Sequence, residues 1–391
     1  MSSQTAAAVR GPQTVRKSVI APTVILLAAI VVVAVTGAEF RQLQMRDPIV
    51  PGPGVTRQGW LSDYHAPLAG TPMETPVYFL EGSQRGGTIL VLGGTHGNEI
   101  AGRLAAVILV ENAVVDVGRV IVIPETNASA LTHTAPNQAV PAYVTIKTPW
   151  GERRFRHGDR LSNPLHQYPD PEVHIHYPSG HLGAGQEARN LNRVYPGRPD
   201  GTLTEQLAYA IIELVRREQV DLVLDMHEAR PMNPIVQALV VHERAMDVGA
   251  WSVMELQAFE GVSLRLEPSP VALRGLSHRE IGDATQALAT LSETPNIAMD
   301  WLRGPTDERL VIEGRDEFMS KAARRPGLVY VNYDHEKGLH INDRTGTHLS
   351  TFLSLAETYS SFYPDRPVVV RNVPRHADVM KNGVGAYLRQ P

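Results

Sequence analysis

Apolar runs that close on polar, chemistry-bearing residues constrain this chain more than any other feature. "GTILVLGG" leads through "THGNE" into His96 and Glu99, "VDLVLDMHEAR" (220–230) closes on His227 and Glu228, and "QALATLSETPN" (286–296) closes on Glu293. "GRVIVIPETN", 118–127, is a further run of the same kind. Short apolar runs bounded by Gly, Pro and Asn predict buried strands. Segments of helical spacing lie among them. One is 98–112, with Asn98 placed to help cap its start; another is 204–219, "TEQLAYAIIELVRREQ", with Thr204 as its expected N-cap. Strands alternating with helices predict an α/β layered domain around a mixed, largely parallel central sheet. In such sheets ligands gather beyond the carboxyl ends of the strands. His96, Glu99, His227 and Glu293 are all expected at that edge.

Composition narrows the chemistry. The chain has 391 residues, 43% of them hydrophobic, enough for one large domain or two ordinary ones. A net charge of −4 gives no reason to expect a nucleic-acid surface. The absence of cysteine removes disulfides, thiolate metal sites and cysteine nucleophiles together. A transition metal must then be held by His and carboxylate, a donor set that suits zinc.

The N-terminus bears on location. Ser18 to Ala38 carries no charge and is mostly Val, Ile, Leu and Ala, long enough to cross a bilayer. Arg10, Arg16 and Lys17 precede it and no acid occurs in residues 1–38, so residues 1–17 are expected in the cytoplasm and the remainder of the chain outside. A cleaved signal peptide ending near Thr36-Gly37-Ala38, with secretion, is the alternative. Residues 39–70 read as a linker, because "DPIVPGPGVTRQG" (47–59) is rich in Pro and Gly. The main domain is placed at 71–365, with an insertion at about 137–188 rich in Pro, His and aromatics, and a poorly patterned tail at 366–391.

Two imidazoles and one carboxylate make a three-ligand zinc site that leaves a position open for water. A fourth carboxylate nearby can take a proton from that water and hand it to a leaving amine. The order H-G-N-E, R-N-L-N-R (189–193), D-M-H-E, S-E-T-P resembles the zinc carboxypeptidase superfamily, and within it the succinylglutamate desuccinylase/aspartoacylase branch, over roughly residues 75–300. The resemblance implies a zinc-carboxypeptidase-like three-layer α/β fold and one zinc ion per chain. It implies His96, Glu99 and His227 as its ligands and Glu293 as general base and acid. It also implies Asn192 and Arg193 as the grip on a substrate carboxylate, with Arg189 beside them. Asn190 stands where the family usually has Asp. The arginine that polarises the scissile carbonyl has no unique match; Arg153, Arg154, Arg156, Arg160 and Arg189 are the candidates.

Blander readings stand beside these. Glu293 also fits a turn acid, since S-E-T-P is good turn chemistry. Arg193 also fits a solvated arginine. Glu228 reads as structural rather than as the base. His174-x-His176 on a strand-like segment can bind metal, but with His157, His166 and His181 it reads more simply as a His-rich loop rim. The function expected is zinc-dependent hydrolysis of the amide bond of an N-acyl amino acid or related carboxylate-bearing substrate. The alternatives are a metallocarboxypeptidase acting on peptides, cell-wall peptides among them, and a catalytically silent membrane-tethered binding module.

Overall fold

The computed structural model describes residues 19–134, 140–299 and 306–391. Ile20–Leu43 forms one exposed helix, α1, with a mean hydropathy of 2.5 across its apolar stretch. It is long and apolar enough to span a bilayer, a test that a signal sequence near the N-terminus also passes. Arg10, Arg16, Lys17 and Ser18 lie outside the described residues. A second compact unit begins at Arg46.

That unit opens with β1 (Arg57–Trp60), β2 (Pro76–Glu81), β3 (Gln84–Gly93), α2 (Ile100–Asn112) and β4 (Val114–Ile123). Two hairpins follow, β5 (Tyr143–Thr148) with β6 (Gly151–Arg156), and β7 (Val173–Ile175) with β8 (Leu182–Ala184). Next come α3 (Leu203–Arg217), β9 (Leu222–Ala229), β10 (Ala238–Val241), α4 (Met246–Glu255), β11 (Arg265–Pro268), α5 (Ser277–Ala284) and β12 (Leu288–Pro295). After the second undescribed stretch lie α6 (Glu308–Glu313), α7 (Glu317–Ala322), α8 (Ile341–Phe362), β13 (Val369–Arg371) and α9 (His376–Asn382).

The main sheet runs β1-β2-β4-β3-β9-β12-β10-β11, with β13 also paired to β4. Its centre, β4-β3-β9-β12, is parallel, while β1, β2, β13 and β10 pair antiparallel. Central parallel strands are covered on both faces, which explains their nearly unbroken apolar runs. Alternation along them divides the core. Ile89, Val91, Val120, Val122, Leu222 and Leu224 join the cluster that contains α2 and α8. Leu90, Leu92, Ile121, Ile123, Val223 and Ala289 join the cluster that contains α3. The result is the three-layer mixed sheet the sequence predicts.

Several boundaries differ from expectation. Asn98 does not cap α2: its Oδ1 is buried without a hydrogen-bond partner, and Glu228 Oε2 accepts from Ala101 N at 3.0 Å instead. Thr204 does not cap α3. Thr202 does, in a reciprocal box with Glu205, and Thr204 Oγ1 donates to Gln167 Oε1 at 2.7 Å. The Pro/Gly stretch 47–59 is not a free tether. Asp47 pairs with buried Arg103 and Arg156, and Val50 N donates to Glu111 Oε1 at 3.0 Å. Glycine is needed at Gly52 because a Cβ there would sit 2.2 Å from Glu111 O. Its loop-like composition records close approach to α2 rather than freedom. The tail is likewise part of the domain: β13 pairs with β4, and Leu388 O accepts from Trp150 Nε1 at 3.0 Å. Within the inserted stretch, residues 137–139 lie outside the described residues; the remainder is built largely around the two hairpins.

Candidate metal centre and cleft

β3 ends at Gly93, and the chain turns through Gly94 at φ +68°, a conformation open to glycine at little cost. The turn delivers His96, and Glu99 stands immediately before α2. His227 and Glu293 lie within their strands rather than past them, as register partners on the adjacent parallel strands β9 and β12.

His96 Nδ1 lies 2.6 Å from Glu99 Oε1, and His227 Nδ1 lies 2.8 Å from Glu99 Oε2. The three residues are buried, and one donor atom from each falls within 4.8 Å of the others. Both remaining ring nitrogens are engaged. His96 Nε2 meets Asn190 Oδ1 at 2.9 Å, and His227 Nε2 meets Asp225 Oδ2 at 2.8 Å. Asp225 also accepts from Thr95 Oγ1 at 2.8 Å and from Ser277 Oγ at 2.6 Å. Asn190 Nδ2 donates to Glu187 Oε2 at 2.6 Å, which turns its Oδ1 toward His96. Outer partners of this kind orient imidazole ligands and leave the opposite nitrogen for a metal. His96, Glu99 and His227 therefore form a candidate metal site whose donor set and outer partners fit zinc.

Charge follows the same geometry. Burial opposes ionisation of Glu99, yet the imidazoles of His96 and His227 hold its carboxyl well below the usual range. Burial likewise opposes charge on His227, but Asp225 and Glu99 outweigh it and hold the imidazolium well above its ordinary value. At His96 burial wins over Glu99 and lowers the value.

A cleft of about 590 Å³ opens beside these ligands, walled by His96, Arg160, Asn192, Arg193, His278 and Glu293 among others. Glu293 Oε2 is buried without a hydrogen-bond partner. Burial first, and the nearby Glu99 charge, push its carboxyl up to about 8 against the pull of His227 and Arg160. Arg193 reaches the cleft with its guanidinium partly exposed, 3.8 Å from Glu187 and donating to Asn192 O at 2.6 Å. Asn192 Oδ1 accepts from Ser277 N at 2.7 Å.

Arg189 is not brought to the cleft. Its fork lies on Asp170 at 2.7 and 2.9 Å, and a third donor meets Ser162 O at 2.6 Å. Of the other candidate arginines, Arg153 pairs with Glu111, Arg156 with Glu125, and Arg154 stacks over Tyr143. Arg160 lines the cleft, 3.7 Å from Glu99 Oε1. Glu228 is held by Arg344, Ala101 N and Asn296 Nδ2, consistent with a structural role. His174 and His176 meet the backbone carbonyls of Arg193 and Tyr195. The other metal-like group among the described residues, His242 with Glu243 and Asp283, has both carboxylates paired to arginines. Sequence reasoning missed Ser277 and His278. Their only signal was a polar dipeptide in "GLSHRE", far along the chain from the motifs they touch.

No protein-family model and no curated protein matches the chain. Among solved structures, it is similar to a succinylglutamate desuccinylase from Silicibacter sp. TM1040, at 21% identity over 59% of this chain and 56% of that one, with a TM-score of 0.36. It is similar to the apo cell shape determinant protein of Helicobacter pylori, at 11% identity over 78% and 58%, with a TM-score of 0.43. It is also similar to a metallo-carboxypeptidase from Burkholderia cenocepacia, at 12% identity over 83% and 69%, with a TM-score of 0.41. The chain thus spans a little over half the length of the desuccinylase. At TM-scores below 0.5 these likenesses add no argument about the chemistry.

Proposed function

We propose that this chain is a zinc-dependent amide hydrolase for carboxylate-bearing substrates, acting on an N-acyl amino acid. The observation that carries this reading is the unpartnered Glu293 Oε2 in a cleft shared with the His96–Glu99–His227 cluster and with Arg193. Zinc held by that cluster would supply a Lewis acid and make a water acidic enough to attack near neutral pH. Glu293 takes the proton of the attacking water and returns it to the departing nitrogen, so the amide ends as acid and amine. Of the five candidate arginines, Arg160 lines the cleft beside Glu99 and is the one offered to the carbonyl oxygen. Arg193 binds the substrate carboxylate through charge-assisted hydrogen bonds, with Asn192 beside it. Glu228 cannot replace Glu293 as base, because its oxygens are committed to Arg344, Ala101 N and Asn296.

The membrane reading belongs to the same proposal: residues 18–38 hold the domain at a bilayer, on its outer side. The test is a panel of N-acyl amino acids and short peptides offered to the zinc-loaded protein. Acylated amino acids should be cleaved, and Glu293→Gln should lower kcat by at least about 10²-fold with zinc retained. Peptide cleavage alone would favour the carboxypeptidase alternative. No turnover on any member of the panel, with carboxylates still bound, would favour a binding module.

A further inference from the structure

The first turn of α5 faces the same cleft and has no place in the chemistry above. His278 is 6% exposed, and it is part of the cleft wall with Asn192 and Arg193. Its Nδ1 lies 2.8 Å from Ser269 Oγ. Ser269 Oγ also accepts from Arg279 Nε at 3.1 Å, and Arg279 is itself paired to Glu243. A buried hydroxyl must place its one hydrogen on an acceptor. With Arg279 donating to Ser269, the acceptor available to that hydroxyl is His278 Nδ1. The ring proton of the neutral imidazole is thereby assigned to Nε2. Nε2 has no protein partner among the described residues. The adjacent Ser277 completes the arrangement: its N–H holds Asn192 Oδ1, so the Asn192 NH₂ is the end left for the cleft.

We propose that His278 is a specificity residue, a third donor that meets the substrate carboxylate through Nε2–H beside the Asn192 amide and the Arg193 guanidinium. This rests on the amide-hydrolase reading and adds a residue that the motif resemblance does not assign. Burial foremost lowers the His278 value to about 3, so the ring donates as a neutral group across the working pH range. Its contribution should therefore show no histidine titration, unlike that of an imidazolium clamp. The Ser269 contact makes this donor geometrically fixed before substrate arrives, which reduces the ordering needed on binding.

The experiment uses the zinc-loaded full chain carrying Glu293→Gln, so that ligands bind without turnover. N-acetyl-L-alanine, N-acetyl-L-glutamate and their α-amides are titrated by calorimetry. His278→Ala should weaken the free acids by roughly 10- to 100-fold, the range for hydrogen bonds to charged groups, and the α-amides much less. His278→Gln places an amide NH₂ near the position of Nε2 and should restore most of the loss. His278→Asn reaches only the Nδ1 position and should not. Equal binding by His278→Ala and its parent, with Arg193→Ala impaired, overturns this inference alone. Equal losses for acids and amides, or no advantage of Gln over Asn, also overturn it. A parent protein that binds none of the free acids overturns both this inference and the function on which it rests. If His278→Ala fails to fold, the Gln and Asn variants decide.

Discussion

Arg193 and His227 carry the residue-scale consequences of this arrangement. Arg193 meets a carboxylate at Nε, 3.8 Å from Glu187, and donates from Nη1 to Asn192 O, so among the described residues its guanidinium keeps further donors for a substrate anion. Losing such a charge-assisted contact, with the partner left desolvated, costs about 2–5 kcal/mol. Arg193→Ala should raise KM mainly for substrates with a free carboxylate, and far less for their amides, in a paired kinetic comparison. His227 adds a pH dependence. In the metal-free protein Asp225 and Glu99 overcome burial and keep its imidazolium well above the ordinary value, so its Nδ1 must lose a proton before it can bind zinc. Zinc binding should release about one proton, and affinity should rise as pH increases up to that raised value. Calorimetry in two buffers of different ionisation enthalpy measures the release; identical heats in both would contradict it. The same protonated pair stabilises the apo fold below the unfolded pKa, a contribution lost as pH rises through the folded one.

At the scale of elements, the segment before β1 is part of the domain's electrostatic framework. Asp47 joins Arg103 and Arg156, which also meet Glu125. Burial resists charge on Asp47, but those two guanidinium groups hold its carboxyl below the ordinary value. Removing one partner from a buried set leaves uncompensated charge, typically a loss of about 3–5 kcal/mol. Asp47→Ala should lower unfolding stability by about 3 kcal/mol in urea at neutral pH. The sign of the pH effect follows from the lowered value. Asp47 contributes stability above its unfolded pKa of about 3.9, and the contribution disappears as pH falls through the folded one. The difference between parent and Asp47→Ala should therefore shrink below about pH 4. A constant difference from pH 7 to pH 3 would assign the loss to packing instead.

At the scale of the whole molecule, the arrangement of the chain across a membrane is the property most open to a direct test. α1 has the length and hydropathy of a span, and Arg10, Arg16 and Lys17 precede it. The basic flank should retain the N-terminus inside and place the second unit outside. A C-terminal fusion to a phosphatase that folds only outside the cytoplasm should be active, and the corresponding fusion to a cytoplasm-dependent reporter should be silent. Sizing the protein from membranes separates an uncleaved anchor from a processed signal: only the former retains residues 1–38.

The sequence by itself determined the class of fold and the presence of its central strands, because burial on both faces leaves unbroken apolar runs that need no knowledge of their neighbours; it did not fix their ends, since β9 and β12 run on through His227 and Glu293. The spacing around His96, Glu99 and His227, the lack of cysteine and the motif order also made a candidate His₂Glu metal site readable, and the fold brings those three residues together. Tertiary structure decided what depends on partners distant in the chain. Arg160 reaches the cleft while Arg189 turns to Asp170, and Glu228 caps α2 in place of Asn98. Asp225 and Ser277, 52 positions apart, meet behind His227. The Pro/Gly segment packs because Gly52 admits a backbone approach that composition reads as looseness. A side chain's local sequence limits what it can do chemically, but the groups that orient it, neutralise it or leave it free are assembled by the fold.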